Sequence, residues 1–298
     1  MKETKNSRGP VMMLVTSMLI FGTIGIFRRH IPVSSAFLAF SRGLLGTLFL
    51  LLFLRLRGRP FRITMARRKA LLFALSGAAM GVNWILLFEA YNYTSVSTAT
   101  LCYYMQPAIV ILLSPLFFRE PLTPRKILCA AVSVFGMVLV SGVTGGTPVQ
   151  GSGLKGIAFG LGAAALYASV VILNKKIGTA DPYEKTVIQL FSAALVMLPY
   201  LLLTRDRSFV GMTGTTAVLL LTVGLIHTGI AYVLYFGSMD GVSAQTIALL
   251  SYIDPVSALI FSAVFLKEAL TPAGIAGAVL ILGAAYAAGS EAQVKGKK

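Results

Sequence analysis

Apolar stretches of about twenty residues follow one another along almost the whole of this sequence, separated by short polar connections. A helix needs about 20 apolar residues to cross the ~30 Å hydrocarbon core of a bilayer. Inside that core only a helix or a closed barrel satisfies its own backbone. Recurrence at this length therefore predicts an all-α polytopic membrane protein. Composition agrees, with 56% of residues hydrophobic and 12% charged, against about a quarter charged in soluble domains. The reading is ten transmembrane helices, at 10–27, 33–54, 70–91, 95–118, 125–144, 153–173, 184–203, 215–236, 242–266 and 272–289. They leave no room for a separate soluble domain. The first run imitates a signal peptide, but it continues to Phe27 and meets Arg28 with no small-residue cleavage signature. It is expected to be a retained first helix.

A net charge of +16 raises nucleic acid as a partner. The placement of the charge argues against it. With the N-terminus inside, the five segments expected in the cytoplasm carry nineteen Lys and Arg and the outward loops carry six. That asymmetry is the positive-inside rule, so both termini are expected in the cytoplasm and the basic residues beside membrane lipids. Cys102 and Cys129 both fall inside spans, without metal-ligand spacing to another Cys or His, so neither a disulfide nor a zinc site is expected.

The chain repeats itself. Pro107 to Pro124 (PAIVILLSPLFFREPLTP) aligns without gaps on Pro255 to Pro272 (PVSALIFSAVFLKEALTP), with seven of 18 positions identical. Upstream, SVSTAT echoes GVSAQT and FRRHI echoes LNKKI. The repeat divides the chain into units 1–147 and 148–298, five spans each. Five is odd, so the second unit is expected to enter the membrane inverted, an arrangement usual in secondary transporters, whose sites lie near the midplane between the repeats. Pro107 and Pro255 fall at the midpoints of spans four and nine, where each removes an N–H and breaks the helix. A broken helix at that depth is tolerated only where protein or water satisfies the freed backbone. Each proline follows a polar residue, Gln106 or Asp254. The pair is expected to act as gating kinks in the wall of a cavity. Glu120 and Glu268, ahead of Thr123-Pro124 and Thr271-Pro272, read as fold-maintaining residues beside helix caps. Gly156 and Gly160 read as a close helix-packing pair.

Ten spans in two five-span repeats, each with a polar-Pro step followed 13 residues later by Glu-x-Leu-Thr, resemble the EamA branch of the drug/metabolite transporter superfamily. The stretches YIDPVSALIFSAVFLKEALTPAGIAGAVLILGA, YYMQPAIVILLSPLFFREPLT and FSRGLLG around Arg42 carry the likeness, which spans nearly the whole chain. It implies the ten-helix fold, alternating access by rocking of the repeats, and a central cavity lined by spans 1, 3, 4, 6, 8 and 9. Two features depart from the family pattern. A glutamate, Glu89, stands in the third span, and the position matching Arg42 in the second repeat, within IQLFSA, holds no arginine.

Ionisable groups inside a span are costly unless paired or wet, which makes them functional candidates. Here they are Arg42, Glu89, His227 and Asp254. Arg42 can also snorkel or bind backbone carbonyls, Glu89 sits near the outer interface, and His227 can be a core histidine. The candidate substrate-binding residues are Asn83, Trp84, Tyr103, Gln106, Tyr167, His227, Tyr232, Tyr252 and Asp254. Tyr104 and Tyr235 belong to the same aromatic complement. Apolar walls with a few polar groups suit a small amphipathic solute such as an amino acid. Desolvation disfavours a charged carboxylate, so Asp254 and Glu89 are the proton-coupling candidates, the alternative for Asp254 being a hydrogen bond to substrate or Tyr252. The expected function is a secondary active transporter of the cell membrane, exporting a small metabolite with no cofactor, as a monomer or weak homo-oligomer. A lipid scramblase or channel-like facilitator is the alternative. An enzyme is not expected, since only His30 and His227 are present, without a metal-binding or nucleophile–base motif.

Overall fold

A computed structural model describes residues 8–118, 122–140, 151–238, 242, 247 and 250–295. Among them every regular element is helical. The elements are α1 (Arg8–Gly22), α2 (Ile24–Arg29), α3 (Ser35–Leu56), α4 (Arg67–Tyr93), α5 (Val96–Tyr103), α6 (Gln106–Phe118), α7 (Pro124–Val140), α8 (Gly151–Ile177), α9 (Pro182–Leu203), α10 (Gly214–Gly224), α11 (Ala231–Ser238), α12 (Ile253–Phe265) and α13 (Pro272–Lys295). A π-helical turn, Leu225–Ile230, joins α10 to α11.

Seven continuous or nearly continuous helical segments are long and apolar enough to cross a membrane: Arg8–Arg29, Ser35–Leu56, Arg67–Tyr93, Val96–Phe118, Gly153–Ile177, Pro182–Leu203 and Gly214–Ser238. Ile253–Phe265 and Pro272–Ala284 are shorter apolar helices. The outer surface is correspondingly greasy, with Leu52, Leu116, Leu203 and Val279 more than half exposed. In water such a patch would cost free energy; against lipid tails it costs none.

Hydroxyls and carboxylates start the helices by accepting from otherwise unpaired backbone N–H groups. Ser34 accepts from Phe37, Ser95 from Thr98, Asp181 from Glu184 and Thr213 from Thr216. Thr123 and Thr271 cap α7 and α13 by accepting from Lys126 and Gly274, at 3.3 and 3.0 Å, as the two Thr-Pro steps led us to expect.

The central sandwich is built from α4 packed against α8 and α9, with α3 also on α9. Its fully buried centre includes Phe73, Phe88, Leu38 and Leu190. On the other side α1 packs against α11 and α12, and α7 lies along α13. Close approach depends on small residues where lipid gives no hydrophobic drive for helix association. A Cβ on Gly156 would fall 2.7 Å from Thr94 Cβ, and one on Gly160 would fall 2.7 Å from Cys102 Cβ. Both glycines thus permit the α8 contact with α5 and the end of α4. Cys102 and Cys129 are buried free thiols.

Two glutamates clasp the ends of the bundle. Glu268 accepts from Val96 N at 2.8 Å, Ser97 N at 3.1 Å and Ser97 Oγ at 3.1 Å, with the Arg29 guanidinium 3.6 Å away. Glu184 accepts from Thr64 N and Oγ1, both at 2.7 Å, and from Met65 N at 3.2 Å. The fold-maintaining role expected of Glu268 takes this form, whereas Glu120 lies outside the described residues.

Candidate functional site

Breaks at matched positions of the two repeat motifs bring the site together. α5 ends at Tyr103 and α6 begins at Gln106, because Pro107 offers no N–H to carry the helix through. The turn between them is held by Met105 N on Cys102 O at 3.1 Å. In the second half a turn at Ser251–Tyr252 precedes α12, whose third residue is Pro255. The first span is broken too, with Thr23 between α1 and α2.

Around these breaks lies a cavity of about 390 Å³. Its walls come from α1, α2, α4, α5, α6, α8, α11, α12 and the turns beside them, joined by Arg42 of α3. Most of its polar character is aromatic. Tyr103 stands edge-on to Tyr104 with centroids 5.9 Å apart, and Tyr167 lies 5.5 Å from Tyr103. Phe21 and Tyr232, 5.6 Å apart, close another side. Gly22 lets α1 approach α12: a Cβ there would fall 3.0 Å from Asp254 O and 2.1 Å from Ser257 Oγ.

Two ionisable groups of opposite sign face this space. Asp254 Oδ2 accepts the Tyr104 hydroxyl at 2.6 Å, so its partner is Tyr104 rather than Tyr252. Arg42 is 7% exposed, with its guanidinium carbon 4.3 Å above the Trp84 ring. Its Nε donates to Thr228 Oγ1 at 2.9 Å. Thr228 in turn donates to Val223 O at 3.2 Å, five residues back, in the widened register of the π-helical turn. Among the described residues Arg42 makes no other hydrogen bond or ion pair. A desolvated cation–π contact is worth about 2 kcal/mol and a hydrogen bond to a charged group about 1.5–3 kcal/mol. Removing the guanidinium from water costs several kcal/mol. The terminal nitrogens thus require water or an anion in the cavity to complete their environment.

Of the residues singled out in the sequence, Trp84, Tyr103, Gln106, Pro107, Tyr167, Tyr232, Tyr252 and Asp254 line the cavity. Four do not. Asn83 is fully buried against α8, donating from Nδ2 to Ala163 O at 2.5 Å. It neighbours Trp84, and successive helical residues point about 100° apart; here Trp84 takes the cavity face and Asn83 the face packed on α8. Glu89 is off the face formed by Trp84, Leu87 and Tyr91 and accepts from Asn92 Nδ2 at 3.3 Å. His227 is 1% exposed, with Nε2 2.8 Å from Thr23 Oγ1. Its Nδ1 meets Thr222 O at 3.4 Å, so the ring is held between α10 and Thr23 as a structural link between helices. Pro255 is buried in the wall behind Asp254. Conversely Arg42, Tyr91, Thr100, Tyr104, Tyr235 and Ser251 line the cavity without having been placed among the substrate-binding residues.

Comparison with known proteins identifies this architecture. The model of the EamA-like transporter family matches residues 8–142 and again 154–289. The chain is 30% identical over 263 residues to the uncharacterized transporter YxxF of Bacillus subtilis, covering 88% of this chain and 84% of that one. It is 28% identical over 241 residues to a probable amino-acid metabolite efflux pump of Salmonella typhimurium, covering 76% and 80%. A solved structure superposes with a TM-score of 0.66 at 20% identity, covering 95% of this chain and 97% of the other, which concerns the fold alone. With two family units in a multi-pass helical bundle, the chain belongs to the EamA-like transporter family of the drug/metabolite transporter superfamily and is a membrane transporter, not an enzyme.

Proposed function

We propose that this protein is a secondary active transporter that exports a small zwitterionic solute, an amino acid or a close relative, by alternating access. The observation that carries the reading is the pairing of Arg42 and Asp254 in one aromatic-walled cavity of about 390 Å³. Arg42 presents unpaired guanidinium nitrogens to a carboxylate, while Asp254 Oδ1 remains to accept from an ammonium. Trp84, Tyr103, Tyr167 and Tyr232 supply surface for an apolar side chain. The efflux pump of Salmonella typhimurium, named for amino-acid metabolites, supports the same substrate class and direction.

The ten helices form two inverted five-helix repeats in this reading. In support, the contacts pair as a two-fold axis requires: α4 on α8 is answered by α11 on α1, while α3 on α9 and α7 on α13 are self-paired. Rocking of one repeat against the other opens the cavity to each side in turn, with the breaks at Pro107 and Pro255 as the bending points. Both termini are cytoplasmic, as the charge asymmetry requires. Asp254 carries the proton when transport is driven by the proton gradient.

Purified protein in liposomes tests the class of function. Saturable counterflow of a radiolabelled amino acid supports the carrier. Equilibration of a labelled lipid between leaflets without solute uptake would make the protein a scramblase, and unsaturable solute flux would make it a channel.

A further inference from the structure

At the end of the bundle where α3 stops and α4 begins lies a second cavity, of about 760 Å³. Arg57, Arg59 and Arg62 line it, together with Phe53, Tyr183 and an apolar floor from the first and eighth spans. We propose that this cavity is a recognition site for a phosphate-bearing anion. The inference is independent of the solute assigned to the central cavity.

The charges in the wall favour an anion. Its two carboxylates are already committed: Glu184 accepts three hydrogen bonds from Thr64 and Met65, and Asp181 caps α9 through Glu184 N at 2.8 Å. The three arginines are not. Among the described residues none of their side chains forms an ion pair or hydrogen bond, and the Arg57 guanidinium lies 5.4 Å from the Phe53 ring centroid. The Glu184 clasp on Thr64 and Met65 anchors the connection that carries Arg59 and Arg62, and the three arginines, exposed to solvent, line the pocket. Guanidinium forks fit phosphate oxygens two at a time, and basic pockets between helices on the positively charged side of a membrane protein suit anionic headgroups.

The pocket is also separate from the central cavity. Phe236 stacks on Tyr232 at 5.8 Å and meets Tyr183 edge-on at 5.6 Å, so a layer of rings joins a wall of one cavity to a wall of the other. A ligand in the second cavity therefore does not compete for the Arg42–Asp254 site.

The phosphate can belong to an anionic phospholipid or to a free solute, and the experiment distinguishes them. Full-length protein in micelles is titrated with phosphatidylglycerol or phosphatidylcholine, and bound lipid is read by native mass spectrometry. Parallel titrations use inorganic phosphate and glycerol 1-phosphate. The expected result is retention of phosphatidylglycerol over phosphatidylcholine. Retention should weaken by roughly fivefold for each of Arg57→Gln, Arg59→Gln and Arg62→Gln, and on the order of a hundredfold for all three together. The single variants keep the test open if the triple variant fails to fold. Saturable binding of the soluble phosphates with the same arginine dependence would assign the site to a free solute. If neither probe binds, or binding is indifferent to all three arginines, the proposal is overturned.

Discussion

The Tyr104 hydroxyl donates to Asp254 Oδ2 across 2.6 Å, joining the broken helix of the first half to the broken helix of the second. The bond lies in the cavity wall at the level of the breaks, while nearer the helix ends Ser97 Oγ and Ser262 Oγ, 2.6 Å apart, tie the same two helices. Whatever loads or unloads Asp254 is therefore felt by both halves at once.

Asp254→Asn separates two roles for this carboxylate. A carboxylate that both binds the ammonium and couples protons gives a variant that loses proton-driven accumulation while counterflow continues at a raised half-saturation concentration. Loss of both, with weaker solute binding, would assign Asp254 to the binding site alone. Both activities are read in the same proteoliposomes, with and without an imposed pH gradient.

Arg42→Gln removes the cation proposed to receive the substrate carboxylate. A charged hydrogen bond is worth about 1.5–3 kcal/mol, so solute affinity should fall by roughly ten- to a hundredfold. Thr228→Val leaves the charge but removes the hydroxyl that holds Arg42 Nε. It should raise the half-saturation concentration less than Arg42→Gln does. Equal affinity in all three proteins would remove Arg42 from the site.

Pro107→Ala and Pro255→Ala each return an N–H to a broken span. The variants should express and purify like the parent yet exchange solute more slowly, because a continuous helix resists the bend. Unchanged exchange in both would show that the breaks do not shape the cycle.

At the opposite end from the arginine pocket, Asp206 ties two loops together. Its Oδ1 accepts from Ser208 N at 2.7 Å and its Oδ2 from the Ser34 hydroxyl, while Ser34 N donates to Ser208 Oγ at 3.0 Å. Partial burial works against the charged carboxylate, but these donors outweigh it and hold its pKa below the ordinary 3.8. A depressed value means the tie contributes fully above pH 3.8 and is lost as pH falls through the lower folded value. Protection of the Ser34 and Ser208 amides, each rate taken relative to the intrinsic rate at the same pH, should thus be high and constant above that pH and fall below it. In Asp206→Asn the amides should exchange fast throughout; the same protection in variant and parent would contradict the tie.

Much of this molecule is legible in its sequence, and the reasons differ by residue. Long apolar runs report membrane spans directly, since the bilayer imposes their length. Pro107 and Pro255 mark the breaks because a missing N–H acts locally, whatever surrounds it. Facing is harder, because it depends on neighbours. Asn83 and Trp84 are adjacent, and only the packing of α4 against α8 decides which of them reaches the cavity. His227 lies in a π-helical turn, which adds a residue to the register and turns the ring toward Thr23. Arg42 stands out in the sequence as a functional candidate, but snorkelling or binding to backbone carbonyls stays open until its partners Thr228 and Trp84 are known.

The most direct test of a two-charge site is counterflow with analogues that remove one charge at a time. Proteoliposomes loaded with a transported amino acid are challenged with the parent solute, its amide lacking the carboxylate, and its N-acetyl derivative lacking the ammonium. The expected result is that only the zwitterion drives saturable exchange. Arg42→Gln should narrow the gap between acid and amide, and Asp254→Asn the gap between free and acetylated amine. Equal exchange by all three solutes in the unmodified protein would contradict recognition by Arg42 and Asp254.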